Sequence, residues 1–175
     1  MIASACDAFV LALYPTTRGF SFVLFEGPES PYDWGVKVVS GHRKNGRCLH
    51  AIKEIVDRYQ PHTIVLEDTV EGGALRASRI RKLSWAIAHL AKSEHIEVYR
   101  YTKATVRNTF RRSGATTKFE IAQAIAIHIP AFAHRLPPIR KPWMCEDPRM
   151  SLFDAAALGL TYFATAPERG DLPGV

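Results

Sequence analysis

The sequence predicts an α/β domain built on a mixed β-sheet, and three patterns along the chain support this prediction. Two β-rich apolar runs, residues 9–13 and 19–25, are separated by a short turn-forming segment, as in an antiparallel hairpin. Residues 48–59 place apolar side chains on one helical face, and the unbroken apolar run 63–66 follows them. A helix that leads into a strand covered on both faces is typical of a crossover unit.

The neighbouring segments extend this pattern. Residues 36–39 predict a third strand, after the loop 27–31, whose two prolines and glycine interrupt regular structure. Beyond the buried run, residues 75–91 repeat apolar side chains at helical spacing and predict an amphipathic helix. Residues 96–101 predict the last strand.

Capping residues mark the helices of the C-terminal half. Thr102 predicts the start of a short helix that ends at Phe110. Thr117 and Glu120 form a capping-box pattern at the start of a helix that ends near His128. These assignments place most of the later chain in helices.

Length and proline content define the domain organisation. A chain of 175 residues is long enough for one hydrophobic core and too short to expect two. Residues 130–148 are rich in proline and predict a loop, and residues 150–165 predict the final helix. We therefore expect a single domain over residues 1–166 and a flexible tail over residues 167–175.

Net charge indicates the class of partner, and the spacing of cysteines and histidines bears on which covalent links and metal sites are expected. The net charge of +6 and the isoelectric point near 9.4 favour an acidic partner, and nucleic acid is the commonest one for a basic domain. Cys6, Cys48 and Cys145 lack C-x-x-C spacing, so they indicate neither a disulfide framework nor a zinc site. The histidines show no i, i+4 pairing that would suggest a metal site.

Hydropathy predicts no association with a membrane. No apolar run approaches the roughly 18 residues that a membrane span requires. The N-terminus also lacks a basic segment followed by a long apolar core. We expect a soluble, intracellular protein of the cytoplasm.

Two carboxylates at the ends of predicted elements are candidates for a metal site. Glu67 ends the buried run that begins at residue 63, and Asp154 opens the final helical stretch. Magnesium prefers oxygen ligands and usually keeps water or substrate phosphate in the rest of its shell. A pair of acids at element ends can therefore hold Mg²⁺ or the similar Mn²⁺.

The predicted helix over residues 75–91 has an unusually basic start. Arg76, Arg79, Arg81 and Lys82 all lie in its first half. Positive charge at a helix N-terminus opposes the helix dipole and destabilises the helix. A bound phosphate would offset this cost, so the segment is a candidate contact for nucleic acid.

The element order resembles that of the ribonuclease H-like fold, and short motifs narrow the resemblance further. The run Leu66-Glu67-Asp68 is similar to the strand end that carries the second acidic ligand in the RuvC family of Holliday junction resolvases. The run that begins with Asp154 and continues Ala-Ala-Ala-Leu resembles the start of the last helix of that family. Arg107, after the predicted last strand, and Lys118, after a small-residue turn, match two basic positions near the family's cleft.

The resemblance implies a fold, an activity and a set of site residues. The fold would be a five-stranded mixed sheet in the order 3-2-1-4-5 with helices on both faces. The activity would be that of a magnesium-dependent endonuclease acting on branched DNA in recombination, with Glu67 and Asp154 as catalytic metal ligands. A homodimer would suit a two-fold four-way junction. The residues expected to hold phosphates are Arg76, Arg79, Lys82, Arg107 and Lys118.

Two departures from the family pattern affect the predicted metal site. Tyr14 stands where the family has an aspartate in the first strand, and Ser151 stands where it has an aspartate or histidine in the last helix. A tyrosine is neutral at pH 7, so the site lacks the central charge that bridges two ions. Asp68, Glu146 and Asp147 are the possible substitute ligands.

Three functions therefore remain open at this point. The first is an endonuclease of branched DNA with a weakened or altered metal site. The second is a catalytically inactive protein that binds junctions or acts as a scaffold. The third is an RNA-processing nuclease that resembles the RuvX relatives of the family.

Each singled-out residue also has a purely structural interpretation. Glu67 could be a surface carboxylate at a strand end, and Asp154 could be only a helix N-cap. Tyr14 would by default be a core aromatic of a buried strand. The tryptophans are expected to pack rather than to stack on bases, although one of them lies in the proline-rich loop and could be exposed; they are Trp34, Trp85 and Trp143.

Overall fold

The structure, a computed structural model, describes residues 9–70 and 77–166 of the chain. Its strands are β1 (Val10–Pro15), β2 (Gly19–Gly27), β3 (Ser30–Val38), β4 (Thr63–Glu67) and β5 (Glu97–Tyr101). Its helices are α1 (Lys44–Tyr59), α2 (Ser78–Ser93), α3 (Lys103–Arg111), α4 (Lys118–His128) and α5 (Met150–Thr165). A short 3₁₀ helix spans Pro130–Arg135.

The five strands form one mixed sheet in the order β3-β2-β1-β4-β5. β1 pairs antiparallel with β2 and parallel with β4, and β4 pairs parallel with β5. The crossover between the parallel strands β1 and β4 includes β2, β3 and α1, as the helix-then-buried-strand pattern predicts. The predicted strand order and fold class are confirmed.

Two hydrophobic cores lie on opposite faces of the sheet. Successive side chains of a strand point to opposite faces, so Leu11 and Ala12 of β1 belong to different cores. Ala12 packs with α4 and α5, whereas Leu11 packs with α1 and α2. Leu83 and Ile87 of α2 are fully buried in the second core, so the apolar face of α2 is used inside the domain.

The third strand is longer than the sequence suggests. It begins at Ser30 rather than at residue 36, and the predicted loop shrinks to a tight turn. Pro31 lies within the strand, which is possible because β3 is an edge of the sheet and needs no hydrogen bond from that residue on its open side. Register shifts between Leu24 and Gly27 of β2 accompany the proline.

The helices agree with the predicted ones except at their ends. In α2, Ser78 is the first helical residue, and Leu75 and Arg76 lie outside the described residues. The start of the predicted loop 130–148 is the 3₁₀ helix. The predicted tail 167–175 also lies outside the described residues. Within the part of the chain that the structure describes, no helix is long and apolar enough to cross a membrane.

The last helix approaches the sheet closely at a glycine. A Cβ atom on Gly159 of α5 would lie only 2.3 Å from Cε2 of Phe25 in β2. Phe25 is fully buried, and its ring packs edge-on against Phe163 with a centroid separation of 5.7 Å. The close approach of α5 to β2 therefore requires glycine at this position.

We expect Gly159→Ala to lower the free energy of unfolding by about 1–3 kcal/mol, because the added methyl group must displace the Phe25 ring from a packed core. Gly46→Ala in α1 is the matched control, since a Cβ there meets nothing within 4 Å. That variant should be unchanged or more stable by up to about 1 kcal/mol. Urea unfolding of both variants measures the difference, and equal responses would contradict the packing argument.

Candidate functional site

A cavity of about 140 Å³ collects side chains from β1, β4, α3, α4 and α5. It is named here the acidic cavity after Glu67 and Asp154, which line it together with basic residues. Its ionisable lining residues are Tyr14, Glu67, Lys103, Arg107, Lys118 and Asp154. The sequence analysis singled out all of these except Lys103. The structure thus brings the predicted acids, the degenerate ligand position on β1 and two predicted basic residues to one place.

The cavity lies at one edge of the sheet because β1 and β4 run parallel. In their register Ala12 lies opposite Val65, so both strands deliver their C-terminal residues to the same end. This end carries Tyr14 from β1 and Glu67 from β4. Asp154 comes from the fifth residue of α5, whose N-cap is Arg149, so the helix N-cap interpretation of Asp154 is wrong.

Glu67 is buried beside a lysine that the sequence analysis missed. Its side chain is 5% exposed, and Lys103 Nζ lies 3.6 Å from Glu67 Oε1. Lys103 is the first residue of α3, directly after the N-cap Thr102, whose side chain accepts a hydrogen bond from the Thr105 N–H. Because β5 is parallel to β4, its C-terminal end meets the same sheet edge, and that adjacency could have identified Lys103.

Lys118 forms the central ion pairs of the cavity. Its Nζ lies 2.8 Å from Asp154 Oδ2 and 2.6 Å from Glu146 Oε1. Burial alone would lower the pKa of Lys118, but attraction by the two carboxylates outweighs it and raises the pKa above its usual value. Lys118 opens α4 directly after Thr117, the N-cap of a complete capping box with Glu120.

Asp154 is largely buried, with a side chain that is 17% exposed. Burial raises the pKa of its carboxyl to about 6, against the opposing effect of Lys118 and with smaller contributions from Glu146 and Glu67. Two further carboxylates therefore act on Asp154. Lys118 is the cation that offsets Asp154 and Glu146.

Tyr14 and Ser151 occupy the expected ligand positions and supply no carboxylate there. Tyr14 is buried and lines both the acidic cavity and a second cavity of about 290 Å³ next to it. The Ser151 hydroxyl donates to the Pro148 carbonyl oxygen at 2.7 Å and shares a 2.5 Å hydrogen bond with Ser21 Oγ. Ser151 is thus engaged with other protein groups.

Of the three possible substitute acids, Glu146 lies best placed. It lines the second cavity together with Asp147 and Asp154, and it shares Lys118 with Asp154. The guanidinium of Arg149 hydrogen-bonds to Asp147 and holds the pKa of that carboxyl below its usual range. Asp68 accepts the Val70 N–H at 2.9 Å and lies outside the lining of both cavities.

The remaining predicted phosphate-binding residues differ in whether their side chains are exposed or point into the domain. Arg107 is exposed at the acidic cavity, and Lys82 is exposed on α2. Arg79 instead points into the domain, where it donates to the Thr16 carbonyl oxygen at 2.6 Å and to Asn45 Oδ1 at 2.9 Å. Arg79 therefore joins the start of α2 to α1 and to the β1–β2 turn, and its contact with phosphate stays a prediction. Arg76 lies outside the described residues.

Metal binding would have to use the carboxylates of the acidic cavity. Among residues 9–70 and 77–166, no three histidine, cysteine or acidic side chains are gathered closely enough to hold a metal ion as they stand. The donor set fits one ion held by Glu67 and Asp154, with Glu146 available if Lys118 withdraws. It does not fit a site in which one carboxylate bridges two metal ions, because Tyr14 stands where that carboxylate is expected.

The raised pKa of Asp154 makes stability depend on pH. Between about pH 4 and pH 6 the native carboxyl keeps a proton that the unfolded chain has released, so the free energy of unfolding falls as pH rises. Asp154→Asn replaces the carboxyl group with an amide that does not ionise, so the variant lacks this pH dependence. We expect urea unfolding to show the variant gaining up to about 3 kcal/mol relative to the unmodified protein from about pH 4 to pH 7.

Asp147→Asn is the control for this measurement. The pKa of Asp147 is lowered, so its contribution to stability is lost only as pH falls below the usual aspartate range. That variant should show no corresponding gain between about pH 4 and pH 7. A constant difference between Asp154→Asn and the unmodified protein across the window would contradict the assigned burial.

Solved structures with the same fold include two Holliday junction resolvases. Thermus thermophilus RuvC is 19% identical, covers 88% of this chain and 92% of its own, and superposes with a TM-score of 0.63. Its complex with a Holliday junction substrate gives 18% identity, coverage of 89% and 92%, and a TM-score of 0.64. The Fowlpox virus resolvase in complex with Holliday junction DNA gives 12% identity, coverage of 89% and 98%, and a TM-score of 0.55.

No family model and no curated protein matches the chain. At 12–19% identity, the structural likeness establishes the fold and leaves the activity to be argued from the site. The chain has a ribonuclease H-like fold of the kind found in RuvC and in the poxvirus Holliday junction resolvase.

Proposed function

We propose that the protein binds branched DNA, with the four-way junction as the preferred form, and cuts it weakly in the presence of a divalent metal ion. The observation that carries the proposal is the acidic cavity, in which Glu67 and Asp154 meet at the C-terminal edge of β1 and β4 beside basic side chains. Solved resolvases of the same fold bind Holliday junction DNA, which supports the choice of substrate.

The basic residues around the cavity would contact the phosphates. Arg107 and Lys103 are exposed there, and Lys82 is exposed on α2. Neutralising phosphates releases counterions, so affinity for DNA should fall steeply as salt increases. The net charge of +6 is consistent with this mode of binding.

Glu67 and Asp154 would hold one Mg²⁺ or Mn²⁺ ion, and Glu146 would add a third carboxylate. When bound, such an ion supplies an activated water and stabilises the leaving oxygen of the phosphodiester. The protein's own contribution is to exclude bulk water from the buried Glu67 and to place Lys118 beside Asp154, where it opposes the effect of burial and favours the ionised carboxylate. Lys118 would move from the carboxylates towards a phosphate oxygen of the DNA.

A second candidate function is junction binding without cleavage. Lys103 and Lys118 already offset the charge of the carboxylates in the acidic cavity. Tyr14 and Ser151 supply no carboxylate at the expected ligand positions. Because the charge of these carboxylates is already offset, they attract a metal ion less strongly. The fold and the phosphate contacts would be the same under both functions, so the two differ only in the chemistry at the cavity.

We expect the protein to nick a labelled four-way DNA junction in Mn²⁺ or Mg²⁺, and Glu67→Gln to reduce nicking at least about 100-fold. Outer-shell partners of a metal alone are worth about 10–100-fold, and a direct ligand should cost more. Junction affinity, measured by gel shift in the same samples, should be retained because the substitution preserves shape and removes only a negative charge.

Asp147→Asn is the matched control, since Asp147 is paired with Arg149 rather than with Lys118. It should nick at nearly the unmodified rate. Unlabelled structured RNA added as competitor should displace the junction poorly, and efficient displacement would instead favour an RNA-processing function. Nicking that persists undiminished in Glu67→Gln would rule out the acidic cavity as the active site.

Tyr14→Asp separates the two candidate functions. The change places an anionic oxygen at the ligand position on β1, so Mn²⁺ affinity measured by calorimetry should rise. Nicking should increase from an existing level if the protein is a weak nuclease, and should appear anew if it is only a binding protein. Tyr14→Phe, which adds no charge, should leave Mn²⁺ affinity unchanged. A folded Tyr14→Asp variant with no gain in Mn²⁺ affinity would exclude a metal site here.

A further inference from the structure

The loop over residues 137–145, named here the Trp143 loop, exposes three large apolar side chains to solvent. Trp143 is 78% exposed, Ile139 is 74% exposed and Met144 is about half exposed. Trp143 is thus exposed, as its position in the proline-rich loop suggested. Several apolar side chains exposed on one short segment are typical of a surface that binds a partner.

The Trp143 loop is also positively charged. It contains Arg140 and Lys141 and no acidic residue. Lys141 Nζ lies 5.5 Å from the centroid of the Trp143 ring, within the range of a cation–π interaction. The indole is thus presented together with a cation, a combination that suits a flat aromatic ligand with an anionic group beside it.

Both ends of the Trp143 loop are fixed to the domain. The preceding 3₁₀ helix inserts the fully buried Phe132 into the core. At the other end, Glu146 is held by Lys118 at 2.6 Å. Within the loop, Met144 N–H donates to the Lys141 carbonyl oxygen at 3.0 Å, and Pro142 restricts the backbone of this turn.

The loop leads directly to Glu146, which contacts Lys118 of the acidic cavity. Three chain steps separate Trp143 from Glu146, so their Cα atoms are at most about 11 Å apart. Glu146 lines the second cavity and shares Lys118 with Asp154. A nucleic acid whose phosphate enters the acidic cavity would therefore bring a neighbouring base within reach of Trp143.

We propose that the Trp143 loop is a base-stacking element, in which the Trp143 indole stacks on an unpaired nucleobase at the branch point of DNA bound at the acidic cavity. Arg140 and Lys141 contact the phosphates that flank this base. The inference rests on the proposed function and adds to it the feature of the DNA that the protein recognises, an unpaired base at the branch point. An aromatic face with adjacent cations is the usual combination for binding unpaired bases.

Branch points favour this contact because their bases are only partly stacked. In a continuous duplex every base is already stacked between neighbours, and Trp143 would have to separate them at a cost in free energy. At a branch point that cost is smaller. Trp143 therefore contributes to the preference for branched DNA over duplex, whereas Arg107 and Lys82 contribute to the affinity for both.

The test compares Trp143→Ala with Trp143→Phe and with Trp85→Ala. Trp85 is the matched control, because it is also largely exposed and lies next to Arg81 and Lys82 but belongs to α2. Fluorescence anisotropy would measure the affinity of each protein for a labelled four-way junction and for a duplex of the same sequence. A junction with 2-aminopurine at the branch point would report stacking directly.

We expect Trp143→Ala to weaken junction binding about 5- to 150-fold, the range given by loss of one base–aromatic stack, with a change of less than about 2-fold on duplex. Trp143→Phe should retain most of the affinity, and Trp85→Ala should behave as the unmodified protein. Quenching of 2-aminopurine on binding should be lost in Trp143→Ala alone. Thermal melting should be unchanged in all variants, since both indoles are exposed.

The outcomes separate this inference from the proposed function. If the unmodified protein binds junctions and Trp143→Ala binds them equally well, the inference is wrong and the proposed function stands. An equal loss on duplex would also overturn it, because the contact would not be to the branch point. Anionic phospholipid vesicles that the unmodified protein binds and Trp143→Ala does not, with junction binding intact, would assign the loop to a membrane surface and overturn the inference. Failure of the unmodified protein to bind any junction would instead refute the proposed function.

Discussion

The ion pairs of Lys118 with Asp154 and Glu146 are the interaction on which the candidate site depends. They join three parts of the chain, the start of α4, the second turn of α5 and the loop that precedes α5. A buried carboxylate without a counter-ion is strongly destabilising, so Asp154 can be both buried and ionised only because an ammonium group lies beside it. The capping box of α4 places that ammonium group, since Lys118 follows directly after the N-cap Thr117.

Strand pairing and helix packing bring the acidic, basic and aromatic side chains of the candidate site together. Parallel pairing of β1 with β4 delivers Tyr14 and Glu67 to the same end of the sheet, and α5, which carries Asp154, packs closely on β2 at Gly159. The Glu146 contact with Lys118 also anchors the Trp143 loop. Displacement of Lys118 by a metal ion or a phosphate would therefore change the acidic cavity and the position of the Trp143 loop together.

The periodicity of apolar residues was sufficient to predict the strands and most helices, because alternation and helical spacing directly reflect burial. The order of the strands in the sheet followed from the resemblance to the resolvase family. Glu67 and Asp154 were singled out by their positions at the ends of elements and by the same resemblance, and both line the acidic cavity. The sequence patterns could not predict that Arg79 turns inward, since a charge pattern contains no information on which way a long side chain points. Likewise the choice of Glu146 over Asp147 depends on the path of an irregular loop and on the competing partner Arg149, and neither leaves a periodic signal.

The edge of the sheet at β3 limits how two copies of the chain could associate. Pro31 has no N–H to donate, and the register shifts opposite it bend the start of the strand. Both features are known devices by which proteins prevent strand-to-strand addition. A symmetric assembly that extends the sheet into a second copy is thus disfavoured along this edge. Contact between two copies through continuous pairing of their β3 strands would therefore require this part of the strand to rearrange, and the β5 edge carries no such proline.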